Sequence, residues 1–166
     1  VDMMPIKELR SKYGSEFEKE HGVKLGFMGF FVIAAVQALK KFPVVNASID
    51  GDDIVYHGFQ DIGVAVSTER GLVVPVIKDA DTKSLSEIEK SILEYSDKAR
   101  NGKLSIDEMQ GGTFTISNGG IFGSLLSTPI LNAPQTAILG MHAIQDRPVA
   151  INGEAVSYTH LRAHET

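Results

Sequence analysis

The sequence predicts an α/β protein of the α+β type, in which helices flank a mixed β-sheet. Two helical patterns open the chain and a third lies near its middle, whereas short strand patterns fill most of the remainder. Turn signals separate neighbouring strand patterns closely enough for hairpins, which favours a mixed sheet over a doubly wound parallel one. The chain has 166 residues and no linker-like segment, so we expect one domain.

Composition argues against several classes of function. Lys and Arg total 16 against 21 Asp and Glu, and a net charge of −5 lacks the basic excess of a duplex-binding surface, so we expect no nucleic-acid partner. The absence of cysteine excludes disulfide scaffolds, thiolate metal sites and cysteine nucleophiles. The longest apolar stretch, residues 25–39, is interrupted and shorter than the roughly 20 residues of a membrane span, so we expect no membrane association.

Helical periodicity marks three segments. The first is expected to begin with Asp2 as its N-cap and to end at Gly22, with its apolar residues on one face. The second, residues 27–42, is apolar nearly all round and should be enclosed on most sides. The third follows a Ser-x-x-Glu capping box at residues 84–87 and ends at the Asn-Gly pair of residues 101–102.

An acidic turn separates the first two strand patterns. Residues 44–49 and 54–56 are rich in apolar and β-branched side chains, and the polar turn between them predicts a hairpin. Asp50, Asp52 and Asp53 also resemble the start of a calcium loop, but the glycine and the distal glutamate of such a loop are not in place. We therefore interpret this segment as a hairpin turn.

The later strand patterns are bounded by glycine, proline and asparagine. Pro75 places its strand at a sheet edge or at a bulge, because proline cannot donate a ladder hydrogen bond. The Asn152–Gly153 pair is typical of a type I′ hairpin turn. The strands are predicted at residues 62–66, 72–77, 113–117, 137–141, 148–151 and 154–156.

A glycine-rich stretch follows the strand at residues 113–117. It lacks the Lys of a phosphate-binding loop, and its glycine spacing does not match the dinucleotide-binding fingerprint. One interpretation is a glycine-rich turn after a strand. The other is a close approach of the backbone to a ligand, with Ser117 and Asn118 offering polar groups at the strand end.

The five histidines differ in context. His142 directly follows an apolar strand, so it is either a satisfied core residue or a cation-capable group suited to a carboxylate ligand. His21 and His57 lie in loop-like sequence and are expected to be solvated. His160 and His164 are four residues apart, as a metal-binding pair would be, but no third ligand accompanies them, so we expect no metal site.

Residues 111–120 carry a longer pattern than the nucleotide motifs. Their sequence, Gly-Gly-Thr-Phe-Thr-Ile-Ser-Asn-Gly-Gly, resembles the signature of the 2-oxoacid dehydrogenase acyltransferase family. Residues 140–144, Gly-Met-His-Ala-Ile, are similar to its succinyl-transferring branch. The resemblance covers about residues 1–154. It also includes residues 25–28, 44–47, 70–77, 122–124, 128–130, 132, 134–135, 137–144 and 146–148.

The resemblance implies a fold, a reaction and partners. The fold is a chloramphenicol-acetyltransferase-like mixed sheet with flanking helices, assembled as a homotrimer that builds a multimeric core and works with the E1 and E3 components of a 2-oxoglutarate dehydrogenase complex. The reaction, part of the tricarboxylic acid cycle, transfers succinyl from S-succinyldihydrolipoamide to coenzyme A. Coenzyme A is a substrate, the lipoyl group is carried on a separate domain, and no metal is implied. A bacterial cytoplasm is favoured over a mitochondrial matrix.

The resemblance also implies roles for three residues. Ser117 stands at the hydroxyl position of the family and is expected to donate to the oxyanion of the transition state. His142 and Ser124 stand at succinyl-branch positions and are expected to pair with the carboxylate of the acyl group, which is costly to bury unpaired. The family active site lies between subunits, with the catalytic histidine and the hydroxyl donor on different chains.

The last ten residues depart from the family motif His-x-x-x-Asp-Gly. A Ser-Tyr-x-His match ends at His160, but His164 and Glu165 occupy the Asp and Gly positions. The family strand before the motif has no counterpart, since only two residues separate Glu154 from Ser157. The family's final helix and strand are also expected to be missing.

Two interpretations of this ending stay open. In one, a degenerate motif uses His160 as the base. In the other, residues 1–156 are a partial catalytic domain, truncated at its C-terminus, and residues 157–166 are a foreign tail. We expect an acyltransferase whose native parent is active and whose present chain is inactive. The alternatives are a non-catalytic core or scaffold protein of the same fold and an acetyl-transferring relative.

Overall fold

Three α-helices, four short 3-10 helices and nine strands are the regular elements of residues 1–165, the part of the chain whose backbone the computed structural model describes; side chains are described as far as residue 163. The helices are α1 (Met4–His21), α2 (Met28–Lys41) and α3 (Leu85–Arg100). The first strands are β1 (Ala47–Asp50), β2 (Asp53–Tyr56), β3 (Ile62–Val64), β4 (Val66–Thr68) and β5 (Gly71–Val73). The others are β6 (Val76–Ile77), β7 (Phe114–Asn118), β8 (Ile138–Ile151) and β9 (Glu154–Glu165).

A five-stranded mixed sheet with the order β6-β3-β7-β8-β9 lies at the centre of the fold. β3, β7 and β8 run parallel to one another, whereas β6 and β9 pair antiparallel at the two edges. β1 pairs with β2, and β4 with β5, as separate two-stranded ribbons. The predicted mixed sheet is confirmed. The strand predicted at residues 72–77 is interrupted at Pro75, and only Val76–Ile77 joins the central sheet, at its edge.

One face of the sheet packs against α2 and α3. Ile116 of β7 and Met141 of β8 face these helices, together with Val32 of α2 and Ile88 of α3. Successive side chains of a strand point to opposite faces, so Thr115, Ser117 and their neighbours of the same parity face away from the helices. This alternation places the polar end of β7 outside the main apolar core.

The helices differ from their predicted forms in two respects. α1 has Met3 rather than Asp2 as its N-cap, although Asp2 Oδ1 accepts a hydrogen bond from the Met4 amide at 3.0 Å. α2 is less enclosed than we predicted, because Ala34 and Ala38 on one side are exposed. No helix among residues 1–165 is long and apolar enough to cross a bilayer.

The N-terminus of α2 is capped by a side chain from α3. Phe27 offers no capping side chain, and Glu89 Oε1 instead accepts the Gly29 amide at 2.9 Å. A Cβ atom at Gly26 or Gly29 would lie within 2.7 Å of the Glu89 carboxylate. Burial raises the pKa of Glu89 above its ordinary value, against the opposing effects of the Gly29 amide and of Arg10.

We expect this buried carboxyl group to make stability depend on pH. Because the pKa of Glu89 is raised in the folded state, protonation of Glu89 stabilises the fold. This contribution to the free energy of unfolding is fully present below the unfolded pKa of 4.5 and is lost as the pH rises through the folded pKa. The free energy of unfolding should therefore rise on acidification in the native chain relative to Glu89→Gln. Urea midpoints between pH 4 and pH 7 measure this difference. The exposed Glu16→Gln variant is the control, and a constant difference across the range would contradict the expectation.

The observed strands differ from the predicted ones more in where they begin and end than in whether they are present. The first hairpin begins at Ala47, because Pro43–Asn46 form a 3-10 turn, and its acidic turn is confirmed. β8 continues for 14 residues instead of ending near Met141. The Asn152–Gly153 turn is confirmed, with φ values of 51° and 87°. The strand predicted at residues 154–156 is present and longer than expected, since Glu154–Glu165 pairs with β8.

Candidate functional site

Ser117 lies near the C-terminal end of β7, opposite Gly140 of β8. It is half-buried and lines a cavity of about 180 Å³. Backbone and side chains of β8, the β4–β5 ribbon and the loop after β7 complete the walls. Gly140, which also lines the cavity, places no side chain at the strand position opposite Ser117. The other lining residues include Ala65, Ser67, Leu72, Ser127 and Pro129.

The glycine-rich stretch forms a short 3-10 helix, Gly119–Phe122. The Asn118 side chain caps it by accepting the Gly120 amide at 3.0 Å. A Cβ atom at Gly120 would lie 2.5 Å from the carbonyl oxygen of His142. The structure shows a turn here, whose backbone closely approaches the neighbouring strand β8, whereas an approach to a ligand stays a prediction.

Ser124 and His142 meet at the end of this segment. Ser124 Oγ lies 3.1 Å from His142 Nδ1, although the two residues are 18 positions apart in sequence. His142 is only 2% exposed, and its Nε2 has no hydrogen-bond partner among the side chains and backbone described. A buried imidazole with an unused ring nitrogen retains hydrogen-bonding capacity toward a ligand or water.

Sequence reasoning missed Ser127. Its hydroxyl lines the Ser117 cavity and accepts a hydrogen bond from Ser124 Oγ at 3.5 Å. His142, Ser124 and Ser127 thus form a polar chain that leads from the buried imidazole to the cavity wall. The only sequence signal was the spacing of two serines in a loop, which by itself indicates nothing about contact.

His160 lies on β9, where the structure does not bring it to Ser117 of the same chain. It pairs with Gln145 of β8, whereas Ser117 is level with Gly140 and with residue 164 of β9. At 3.3 Å per residue this offset is about 13 Å along the sheet, with two strand spacings in addition. Partial burial, followed by the charges of the N-terminal amine, Arg147 and Arg162, lowers the pKa of His160.

The remaining histidines have structural surroundings. The expectation that His57 is solvated is wrong, because its Nε2 lies 3.1 Å from Ser48 Oγ. His21 packs against Phe17 at the end of α1. No group of three or more potential metal-ligating side chains occurs among the residues described. The side chains of His164 and Glu165, and Thr166 as a whole, lie outside the described residues, so the His160–His164 pair stays a prediction.

Comparison with known proteins shows which family and which relatives this chain resembles. Residues 1–163 match the sequence model of the 2-oxoacid dehydrogenases acyltransferase (catalytic domain). The succinyltransferase component of the 2-oxoglutarate dehydrogenase complex of Pseudomonas aeruginosa is 69% identical over 157 residues. That alignment covers 94% of this chain and 38% of the relative, so the chain spans well under half the length of this curated relative.

Solved structures show the same fold. A probable dihydrolipoamide acetyltransferase from Listeria monocytogenes superposes with a TM-score of 0.94 at 41% identity, covering 99% of this chain and 70% of the other. The cubic core of a pyruvate dehydrogenase multienzyme complex gives a TM-score of 0.94 at 35% identity, covering 99% and 68%. A chloramphenicol acetyltransferase, at 16% identity and a TM-score of 0.51, covers 92% and 72% and shares the fold alone.

Proposed function

The chain belongs to the 2-oxoacid dehydrogenases acyltransferase family, and from this membership we propose that the protein carrying it transfers succinyl groups from S-succinyldihydrolipoamide to coenzyme A. The observation that carries the succinyl assignment is the contact between Ser124 and His142, which reaches the Ser117 cavity through Ser127. The 69% identity to a protein named as a succinyltransferase supports the same assignment.

In the proposed reaction the sulfur of coenzyme A attacks the thioester carbonyl carbon. A base removes the thiol proton, a new carbon–sulfur bond forms, and the carbonyl oxygen becomes an oxyanion. The bond to the dihydrolipoamide sulfur then breaks, and that sulfur takes up the proton. We assign to Ser117 the donation of its hydroxyl hydrogen to the oxyanion, because a donor aimed at developing charge stabilises the transition state more than the ground state.

We assign recognition of the succinyl carboxylate to the chain His142–Ser124–Ser127. If His142 Nδ1 donates to Ser124, then Ser124 donates to Ser127, and the Ser127 hydroxyl is left to donate into the cavity. Such a chain of aligned donors becomes mutually polarised and favours an anion at its end. An acetyl group has no carboxylate to receive this donation, so the same contacts discriminate between the two acyl groups.

We propose that the base comes from a neighbouring copy in a homotrimer. Within one chain His160 is too far along β9 to take a proton beside Ser117. In the alternative in which residues 157–166 are native, His160 of the neighbouring copy is this base, since its lowered pKa favours the neutral imidazole that accepts a proton; otherwise the base is the motif histidine of the parent protein. Trimers would build a multimeric core that works with E1 and E3 components and receives lipoyl groups from a separate domain. The bacterial source of the relative supports a bacterial cytoplasm.

We also propose the domain division at residue 156, with residues 157–166 as a tail of different origin. His164 and Glu165 at the acid and glycine positions of the family motif support it. Pairing of this segment with β8 is compatible with either origin, because ladder hydrogen bonds join backbone groups. The same two residues favour the second candidate function, that of a scaffold protein in the multimeric core that has this fold but does not catalyse the transfer.

The test compares acyl donors in the whole protein that carries this domain. The parent gene is first read beyond codon 156, where a His-x-x-x-Asp-Gly motif is expected. Formation of acyl-coenzyme A is then followed with S-succinyldihydrolipoamide and S-acetyldihydrolipoamide. We expect transfer with preference for succinyl, and no turnover by the 166-residue chain alone. Equal rates would support the acetyl-transferring alternative, whereas no transfer by the whole protein would support the scaffold.

A further inference from the structure

We propose that Gly120 and Asn118 are positioning residues for the Ser124–His142 pair. They hold the segment of residues 118–124 against β8, and this contact sets the distance between the Ser124 hydroxyl and the imidazole. The positioning role is argued only from the contacts of residues 118–124. Its consequence for acyl selection rests on the proposed function.

Hydrogen bonds fix the segment at both of its ends. Pairing of β7 with β8 ends at Asn118 and Met141, and the Asn118 side chain then accepts the Gly120 amide at 3.0 Å. At the other end the Ser124 carbonyl accepts the Ala143 amide at 2.8 Å. The Ser124 amide donates to the Gly119 carbonyl at 3.2 Å, which closes the segment on itself. Ser124 is thereby tied to the residue that follows His142.

Gly120 is the point of closest approach between the segment and β8. A Cβ atom there would lie 2.5 Å and 2.6 Å from the carbonyl oxygen and carbon of His142, and 2.8 Å from the Ala143 nitrogen. These are backbone atoms at the bulge between Met141 and Ile144, where the Ala143 amide is held by the Ser124 carbonyl, and they cannot rotate aside as the end of a flexible side chain would. Any side chain at Gly120 must therefore push the segment away from β8.

A small displacement is enough to separate the pair. The Ser124–His142 contact is 3.1 Å long, and a hydrogen bond of this kind is lost near 3.6 Å, so a shift of about 0.5 Å breaks it. Gly120 therefore determines whether the buried imidazole stays connected to the cavity.

The first experiment observes the imidazole directly in the 166-residue chain. Long-range proton–nitrogen NMR spectra of the ¹⁵N-labelled chain report the ring nitrogens of His142, assigned by their disappearance in His142→Gln. Ser124→Ala gives the reference spectrum of a His142 ring that has lost its contact with the Ser124 hydroxyl. We expect Gly120→Ala and Asn118→Ala to reproduce that spectrum. Asn118→Asp, which keeps an accepting oxygen, should retain the native one. Gly58→Ala is the matched control, because a Cβ atom at Gly58 meets nothing within 4 Å.

The second experiment measures acyl selection in the whole protein. We expect Gly120→Ala and Asn118→Ala to lower the succinyl-over-acetyl ratio of kcat/KM by about tenfold or more, the usual effect of losing one hydrogen bond to a charged group. The loss should appear in KM for succinyl, with kcat for acetyl retained.

The outcomes separate the two proposals. A folded Gly120→Ala chain with an unchanged His142 spectrum would overturn the positioning role. If Gly120→Ala does not fold, the comparison of Asn118→Ala with Asn118→Asp decides, and identical His142 spectra in those two variants would overturn it. A changed spectrum with unchanged acyl selection would leave the positioning role intact and contradict the succinyl-recognition function instead.

Discussion

We expect Ser117→Ala to slow succinyl transfer by the whole protein by about 10²–10³-fold, the usual effect of removing one oxyanion donor. The Ser117 hydroxyl lies at the wall of the acyl cavity, level with Gly140, where no side chain of β8 replaces the lost donor. The interaction forms as charge develops, so kcat should fall while KM for both substrates stays nearly constant. Steady-state rates with S-succinyldihydrolipoamide and coenzyme A measure the change.

Two comparisons make this result specific. Acetyl transfer should fall by the same factor, because the oxyanion is common to both reactions and Ser117 does not depend on the acyl tail. Ser91→Ala, which alters a half-buried serine on α3 whose hydroxyl donates to the Glu87 carbonyl, should leave both rates unchanged. A variant that loses succinyl transfer alone would assign Ser117 to acyl recognition and contradict its role as oxyanion donor.

We expect His142→Leu to lower the succinyl-over-acetyl ratio of kcat/KM by about 30-fold or more. The substitution removes the imidazole at which the donor chain to the carboxylate begins; losing a hydrogen bond that serves a charged group costs about 2 kcal/mol, and 1.4 kcal/mol corresponds to tenfold. Leucine fills the nearly fully buried site with an apolar side chain and leaves Ser124 without its imidazole partner. Competition between the two acyl donors in one reaction mixture measures the ratio directly.

The chain contains a matched control for this substitution. His57 also contacts a serine hydroxyl at 3.1 Å, from the loop after β2 to Ser48 on β1. His57→Leu therefore removes a similar histidine–serine contact away from the Ser117 cavity and should leave the ratio unchanged. Equal losses of succinyl and acetyl transfer in His142→Leu would show that the substitution damages the fold or the shared chemistry, and would contradict carboxylate recognition.

Local features of the fold could be predicted because a few adjacent residues determine them. The capping box is present, with Ser84 accepting the Glu87 amide and the Glu87 carboxylate accepting the Ser84 amide. The Asn152–Gly153 turn has the positive φ values that its sequence indicates. The 14-residue length of β8 could not be predicted, because it depends on pairing with β9 across the hairpin rather than on its own alternation.

The candidate site was predictable only where a resemblance supplied its residues. Spacing left His142 equally compatible with a core position, and the contact with Ser124 forms because Gly120 lets the intervening segment fold back on β8. No sequence pattern indicated Ser127 as a site residue, since its contact with Ser124 depends on the same folding of the segment. The predicted solvation of His57 was wrong for a related reason, because its partner Ser48 lies on the other strand of the hairpin.

The cap on α2 has an evolutionary consequence. Gly26, Gly29 and Glu89 share one small space, in which each glycine leaves room for the carboxylate and the carboxylate satisfies the helix end. A side chain added at either glycine while Glu89 remains would collide with it. A shorter residue at position 89 would make room at Gly26, but would leave the Gly29 amide uncapped and Leu85 Cδ1 still 2.7 Å from a Cβ atom at Gly29. In descendants of this chain the three positions should therefore be able to change only together.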